Sequence, residues 1–252
     1  MNPMEQFEVK PLWIQHPLFQ IAGHPVYFTN QSLFMIVVVL AAALFMTLAM
    51  SKRALVPGRS QSMAELSYEF VSNMIHSTTG EDGLRFFPFV FTLFVFVLFC
   101  NFFGMIPWTF TVTSQIAVTL TLACLVVLTV ILTGFARHGI GFLKLFVPHA
   151  PIYLLVLLVP IEVISFLTRP ISLSVRLFAN MLAGHTLLAV FAGFVILLGS
   201  AGGILKLGAI LPFALIVAIM MLELLVAFLQ AYVFAILTCI YLNEALHLHD
   251  HH

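Results

Sequence analysis

The chain has 252 residues, of which 62% are hydrophobic and 8% charged, with a mean hydropathy of +1.13. A soluble domain needs roughly 25% charged residues to cover its surface, so this composition excludes one and specifies an integral membrane protein. The net charge of zero excludes the strongly basic balance of a nucleic-acid binder.

Residues 1–31 are semi-polar, and Pro3, Pro11, Pro17 and Pro25 break any long helix. They are expected to lie outside the membrane, with "IQHPLFQIAGHPVYFTNQS" forming a short hairpin at its surface. A basic start followed by an apolar core, the mark of a signal peptide, is not read there. The first apolar segment, span 1 at residues 32–50, is therefore expected to insert and stay, and Lys52, Arg53 and Arg59 follow it. Residues 60–79 repeat Met63, Leu66, Phe70, Met74 and Ile75 at helical spacing, with Glu65, Glu69, Ser72, Asn73 and His76 between them. That pattern predicts an amphipathic helix lying in the interface, after which "TTGEDGLR" turns the chain.

Span 2 covers residues 86–106 and ends at Pro107 and Trp108, a residue favoured at interfaces. Span 3 covers residues 115–135, closes with Arg137 and leads into a basic connector containing Lys144. Two long apolar blocks follow, residues 151–199 and 204–246, separated by "GSAGG" at 199–203. As helices they reach roughly 70 and 60 Å at about 1.5 Å per residue, against a hydrocarbon core of about 30 Å. Each block is therefore either two spans or one strongly tilted helix, and periodicity leaves both readings open.

If spans 1 to 3 are real, Lys52, Arg53, Arg59, Arg85, Arg137 and Lys144 share one side, and Lys10 and Lys206 lie on the other. The basic side is the inner one, which puts the N-terminus outside. Two tilted helices at the end make five spans and put the C-terminus inside.

No metal site and no cofactor are expected. Cys100, Cys124 and Cys239 all lie in apolar stretches and read as small core residues. The tail "HLHDHH" reads as solvated. Neither a Gly-rich phosphate loop nor zinc spacing occurs. "GSAG" at 199–202 has the look of an intramembrane serine protease motif but has no histidine in a following span. Of the ten histidines only His185 lies deep in a span, which argues against a haem held by two.

The polar residues of the last two blocks carry the chemistry. Glu162, Ser165, Arg169, Ser172, Arg176 and Asn180 are spaced 3, 4, 3, 4 and 4 apart and so form one stripe on one helix face. Glu223 and Gln230, seven apart, share a face of the second block. Taken as an antiparallel hairpin turning near Gly203, the blocks place residues whose numbers sum to about 406 at one depth. Arg176 then meets the level of Gln230, His185 falls within a turn of Glu223, and Glu162 meets Glu244. His185 is nine residues from Arg176, about 180° round the same helix. Arg169 precedes Pro170 and reads as structural, either snorkelling or paired with Glu162. A guanidinium is never deprotonated, so Arg176 cannot carry a proton but can attract a carboxylate and block proton passage. His185 and Glu223 can take up and release protons. Burying Arg176 costs about 2.5–3.5 kcal/mol on insertion scales, and its counter-ion is sought on another subunit.

"SLSVRLFANMLAGH" (172–185), "NFFGMIP" (101–107) and "LELLVAFLQAYVFAILTCIYLNEAL" (222–246) resemble subunit a of the F-type ATP synthase, the ATPase subunit 6 family. The likeness covers the chain from about residue 25. It implies an all-α membrane protein with five spans, a surface helix after the first, and a long tilted hairpin packed against a rotating ring of c subunits. The length ambiguity is thereby resolved in favour of single tilted helices.

By this resemblance Arg176 matches the essential arginine facing the ring carboxylates, Gln230 and Asn180 match polar positions around it, and Glu162 matches an acidic position on the exit path. Many bacterial members carry Glu where this chain has His185 and His where it has Glu223; the mitochondrial type has the pair exchanged, as here. That points to a lineage near mitochondria and to a bacterial inner membrane, with the mitochondrial inner membrane as the alternative.

The implied role is non-catalytic. Protons enter from outside near His185 and Glu223 and neutralise a ring carboxylate. They leave near Glu162 after nearly a full revolution, while Arg176 holds the resulting anion. The implied partners are the c-subunit ring, the peripheral-stalk b subunits, the rest of the synthase, protons and the lipid bilayer. A stand-alone channel or secondary transporter would need its own carboxylate near Arg176 and an internal repeat; neither is read.

Overall fold

The computed structural model describes residues 7–12, 19–21, 24–51, 57–106, 109–146, 152–200 and 205–247. Lys52, Arg53, Pro107, Trp108, Gly202, Gly203 and the tail from residue 248 lie outside them. Two short antiparallel strands, β1 (Phe19–Ile21) and β2 (His24–Val26), pair in the register Phe19↔Val26. The hairpin read from the proline-rich N-terminal stretch is therefore present. All other regular structure among the described residues is helical: α1 (Asn30–Ala49), α2 (Arg59–Thr79), α3 (Phe87–Gly104), α4 (Ile116–His138), α5 (Ile152–Ser200), a four-residue α6 (Leu205–Gly208) and α7 (Ile210–Leu246). Five of the helical segments are long and apolar enough to cross a membrane, which is the fold class the composition specified.

Both long blocks are single helices, of 49 and 37 residues, so the two-span alternative does not hold. Pro160 and Pro170 lie inside α5 without ending it, as happens in membrane helices whose neighbours satisfy the freed backbone groups.

The chain forms two compact units. The first comprises Met1–Phe45, Phe96–Gln115 and Leu177–Gln230. Its core holds Val38 and Ala42 of α1, Val97, Cys100 and Asn101 of α3, Leu177 and Met181 of α5, and Ala227 of α7. The segment after α3 folds inward here: a 3₁₀ turn at Val112–Ser114 buries Val112, Thr113 and Ser114.

The second unit comprises Met46–Val95, Ile116–Arg176 and Ala231–His252. Small side chains let α7 approach its neighbours closely, since Ala231, Ala235 and Cys239, each four apart, are buried with Phe234 and Leu242. α2 ends at Gly80, whose φ of 70° only glycine adopts without strain, and its amide caps the helix on the His76 carbonyl. A 3₁₀ turn, Glu81–Phe86, then feeds α3.

The apolar positions of α2 divide between two environments, Met74 and Ile75 being buried. Gln61, Ala64, Val71, Met74, Ile75 and Thr79 are buried, whereas Met63 and Leu66 are exposed and Phe70 is partly so, packed on Phe94 and Tyr232. An interfacial helix can have two apolar sides, one against protein and one against lipid. The protein-facing side combines Met74 and Ile75 of the apolar repeat with the smaller Ala64 and Val71.

Candidate functional site

In the first unit, α5 and α7 bring His185 and Glu223 together. The imidazole Nε2 stands 3.6 Å from Glu223 Oε1, and the two side chains are only 13% and 6% exposed. Gly184 makes room for this approach: a Cβ added to it would stand 2.8 Å from that carboxylate oxygen. Both Glu223 oxygens are buried and accept no hydrogen bond from any described residue. A buried polar group left so costs about 1–3 kcal/mol, which a protein retains mainly where the group has work to do.

The imidazole has two further neighbours. Thr111 Oγ1 lies 3.3 Å from Nε2 and also donates to the Gly104 carbonyl at 3.2 Å. The Phe7 ring meets the imidazole edge-on at 6.2 Å. Phe7 is held by its own carbonyl, which accepts a 2.8 Å hydrogen bond from Gln115 Nε2. One level away, fully buried Asn101 donates to the Ala227 carbonyl at 3.2 Å and accepts from Thr113 Oγ1 at 3.1 Å. Gln230 is buried and its Nε2 makes no hydrogen bond to any described residue. Asn180 is half-buried. Sequence reasoning missed Thr111, Thr113 and Phe7 because they lie on connectors without a period. Asn101 was quoted only within a motif, although an asparagine inside the apolar α3 is itself a signal.

In the second unit Arg169 pairs with Glu244, not with Glu162 as one expectation had it. The guanidinium also lies over the Tyr241 ring at 5.0 Å and the Phe166 ring at 5.7 Å. Glu162 is seven residues from Arg169 on the same helix, about 10.5 Å along the axis, so a carboxylate from α7 competes successfully. Glu162 is half-buried and makes no hydrogen bond or ion pair among the described residues. Arg169 thus has a structural partner, as expected, though a different one.

Arg176 is placed otherwise. Leu173, Ser174 and Leu177 around it are buried, whereas Arg176 and its helical neighbours Ser172, Val175, Ala179 and Ala183 are exposed. Its guanidinium makes no hydrogen bond or ion pair with any described residue. The helix therefore carries a permanent cation on an outward face whose neighbours, Ser172, Val175, Ala179 and Ala183, are small and uncharged. The numbering rule succeeds in one place and misses in another: His185 and Glu223 sum to 408, Arg169 and Glu244 to 413. A single sum describes two straight antiparallel rods, and Pro160 and Pro170 interrupt the hydrogen-bond ladder of α5.

The profile of the family "ATP synthase A chain" matches residues 32–243. The chain belongs to that family. Relatives named "ATP synthase subunit a" agree with it along nearly their full length. That of Mesorhizobium japonicum is 57% identical over 98% of this chain and 97% of its own. That of Chelativorans sp. is 59% identical over 98% of both chains. That of Rhizobium rhizogenes is 60% identical over 90% of this chain and 91% of its own. The stretch matched to the ATP synthase A chain contains Glu162, Arg176, Asn180, His185, Glu223 and Gln230, and it stops one residue before Glu244.

Proposed function

We propose that this chain is the proton-conducting stator subunit a of an F-type ATP synthase, seated in a bacterial inner membrane with its N-terminus outside and its C-terminus in the cytoplasm. It carries no ATP chemistry itself. Protons from outside reach the His185–Glu223 pair, where an imidazole and a carboxylate 3.6 Å apart exchange a proton after a small approach. They then neutralise a carboxylate on a ring of c subunits. The ring turns with that acid in lipid and releases the proton to the inside along a path that includes Glu162. Arg176 holds the emptied carboxylate and blocks a direct leak, because a guanidinium stays charged. Asn180 and Gln230 are further polar residues of the proton path, and the b subunits fix the stator. Each charge crossing is worth about 2.3 kcal/mol per 100 mV, which supplies the torque.

The single observation that carries this reading is the exposed guanidinium of Arg176 in a 49-residue apolar helix, without an ion pair among the described residues. A charge so placed needs a counter-ion from outside the chain. The test is cysteine cross-linking from Ala179, which shares the exposed face with Arg176. Ala179→Cys in the assembled complex is expected to link to cysteines placed beside the carboxylate of the ring subunit. Links only to lipid or to other stator subunits would overturn the reading.

A further inference from the structure

A second cluster of charge lies in the second unit, apart from every residue assigned to the proton path. Asp82, Arg85, Thr133 and Arg137 line an open cavity of about 740 Å³ whose apolar wall is Phe86, Leu132 and Leu246. That is within the ~300–1,000 Å³ of pockets that take a small ligand or headgroup. Arg137 Nη2 bonds Asp82 Oδ2 at 2.5 Å, which leaves the remaining guanidinium donors of Arg137 unspent. Arg85 is exposed and makes no hydrogen bond or ion pair with any described residue. Two guanidiniums against one carboxylate leave the lining with a net charge of +1.

The apolar wall continues away from the charges. Leu125, Leu128 and Leu132 are spaced 3 and 4 apart and are 43%, 56% and 61% exposed. They form one outward lane along α4 that runs into Ala136 and Arg137 at the cavity. The cavity sits where α4 ends and where the 3₁₀ turn enters α3, at the level where a span meets the headgroups. A net positive pocket at the headgroup level, opening onto an apolar lane pointing into the bilayer, has the form of a single phospholipid.

We propose that the Arg85–Arg137 cavity holds the phosphate of an anionic glycerophospholipid, with an acyl chain along Leu132, Leu128 and Leu125. Arg137, oriented by Asp82, presents its fork to one phosphate edge, and Arg85 closes on the other. Basic pockets between spans on the inner side bind anionic headgroups for this electrostatic reason. A zwitterionic headgroup carries its own cation into a site already occupied by two.

The experiment is native mass spectrometry of the assembled, delipidated complex titrated with phosphatidylglycerol, with phosphatidylcholine and with inorganic phosphate. Saturable retention of phosphatidylglycerol, but not of phosphatidylcholine, is expected. Arg85→Gln is expected to weaken it by about tenfold, the loss of one charge-assisted contact. Arg85→Lys keeps most of the binding, and Lys206→Gln, a lost cation outside the cavity, leaves it unchanged. Equal retention of the two lipids, no effect of Arg85→Gln, or an equal effect of Lys206→Gln would overturn the proposal. Displacement by inorganic phosphate alone would overturn it too, by making the cavity a site for a free anion.

Discussion

His185 Nε2 and Glu223 Oε1 stand 3.6 Å apart in a nearly closed environment, and neither carboxylate oxygen of Glu223 accepts a hydrogen bond from a described residue. Two titratable groups of opposite type share one level, so their order should matter less than the presence of both. Single changes His185→Ala and Glu223→Ala are expected to lower proton-driven ATP synthesis by roughly 10²-fold, the lower end of what a positioned acid or base contributes. The exchange His185→Glu with Glu223→His should retain more activity than either. Synthesis rates in inverted vesicles check this, and an exchange as damaging as both deletions would contradict the pairing.

Gly184 offers a finer probe of the same contact. Its missing Cβ leaves the space that the Glu223 carboxylate uses, with Oε1 2.8 Å and Cδ 3.2 Å from where that atom would be. Gly184→Ala should push the carboxylate aside while the helix gains about 1 kcal/mol of propensity. Thermal stability of the complex is expected to hold or rise while proton flux falls. Unchanged flux would mean that the carboxylate's position is immaterial.

The Arg169–Glu244 pair is expected to behave as structure. Both partners are mostly shielded, and the guanidinium is further held over Tyr241. Glu244→Ala leaves a cation without its partner, a loss of about 3 kcal/mol, visible as a lower midpoint of thermal dissociation. Replacing Arg169 as well, with a neutral residue of similar length, should recover part of it. If the double change were as unstable as the sum of both singles, the two would not be partners.

Asn101 ties α3 to two other elements. Asn101→Leu keeps the volume but strands the Thr113 hydroxyl and removes a donor from the Ala227 carbonyl. A loss of about 1–3 kcal/mol is expected, measured by unfolding of the detergent-solubilised chain. Thr113→Val alone should cost less, since Asn101 then keeps its bond to Ala227.

How far the sequence reaches can be read from these same residues. Arg176 was legible because a charge in an apolar run has few alternatives, and His185 with Glu223 because two helices of known turn can be aligned by number. For Arg169 the reading left snorkelling or a pair with Glu162 open and did not offer Glu244, because periodicity reports only residues on the same helix and this carboxylate sits on another. The surface helix was legible as a helix, but apolar spacing cannot say which of its apolar residues meet protein, as Met74 and Ile75 do and Met63 and Leu66 do not. Thr111 and Phe7 were invisible, since the short turn and the N-terminal segment that place them obey no repeat. The cavity between Arg85 and Arg137 was equally hidden, as residues 52 apart in sequence meet only through the fold.

The most direct measurement is ATP synthesis driven by an imposed proton gradient in complexes carrying Arg176→Ala, with assembly checked by co-purification of all subunits. The exposed position of this guanidinium, without an ion pair among the described residues, leads to the expectation that synthesis is lost while the complex stays whole. Coupled synthesis at normal rates from the fully assembled variant would contradict the role assigned to Arg176.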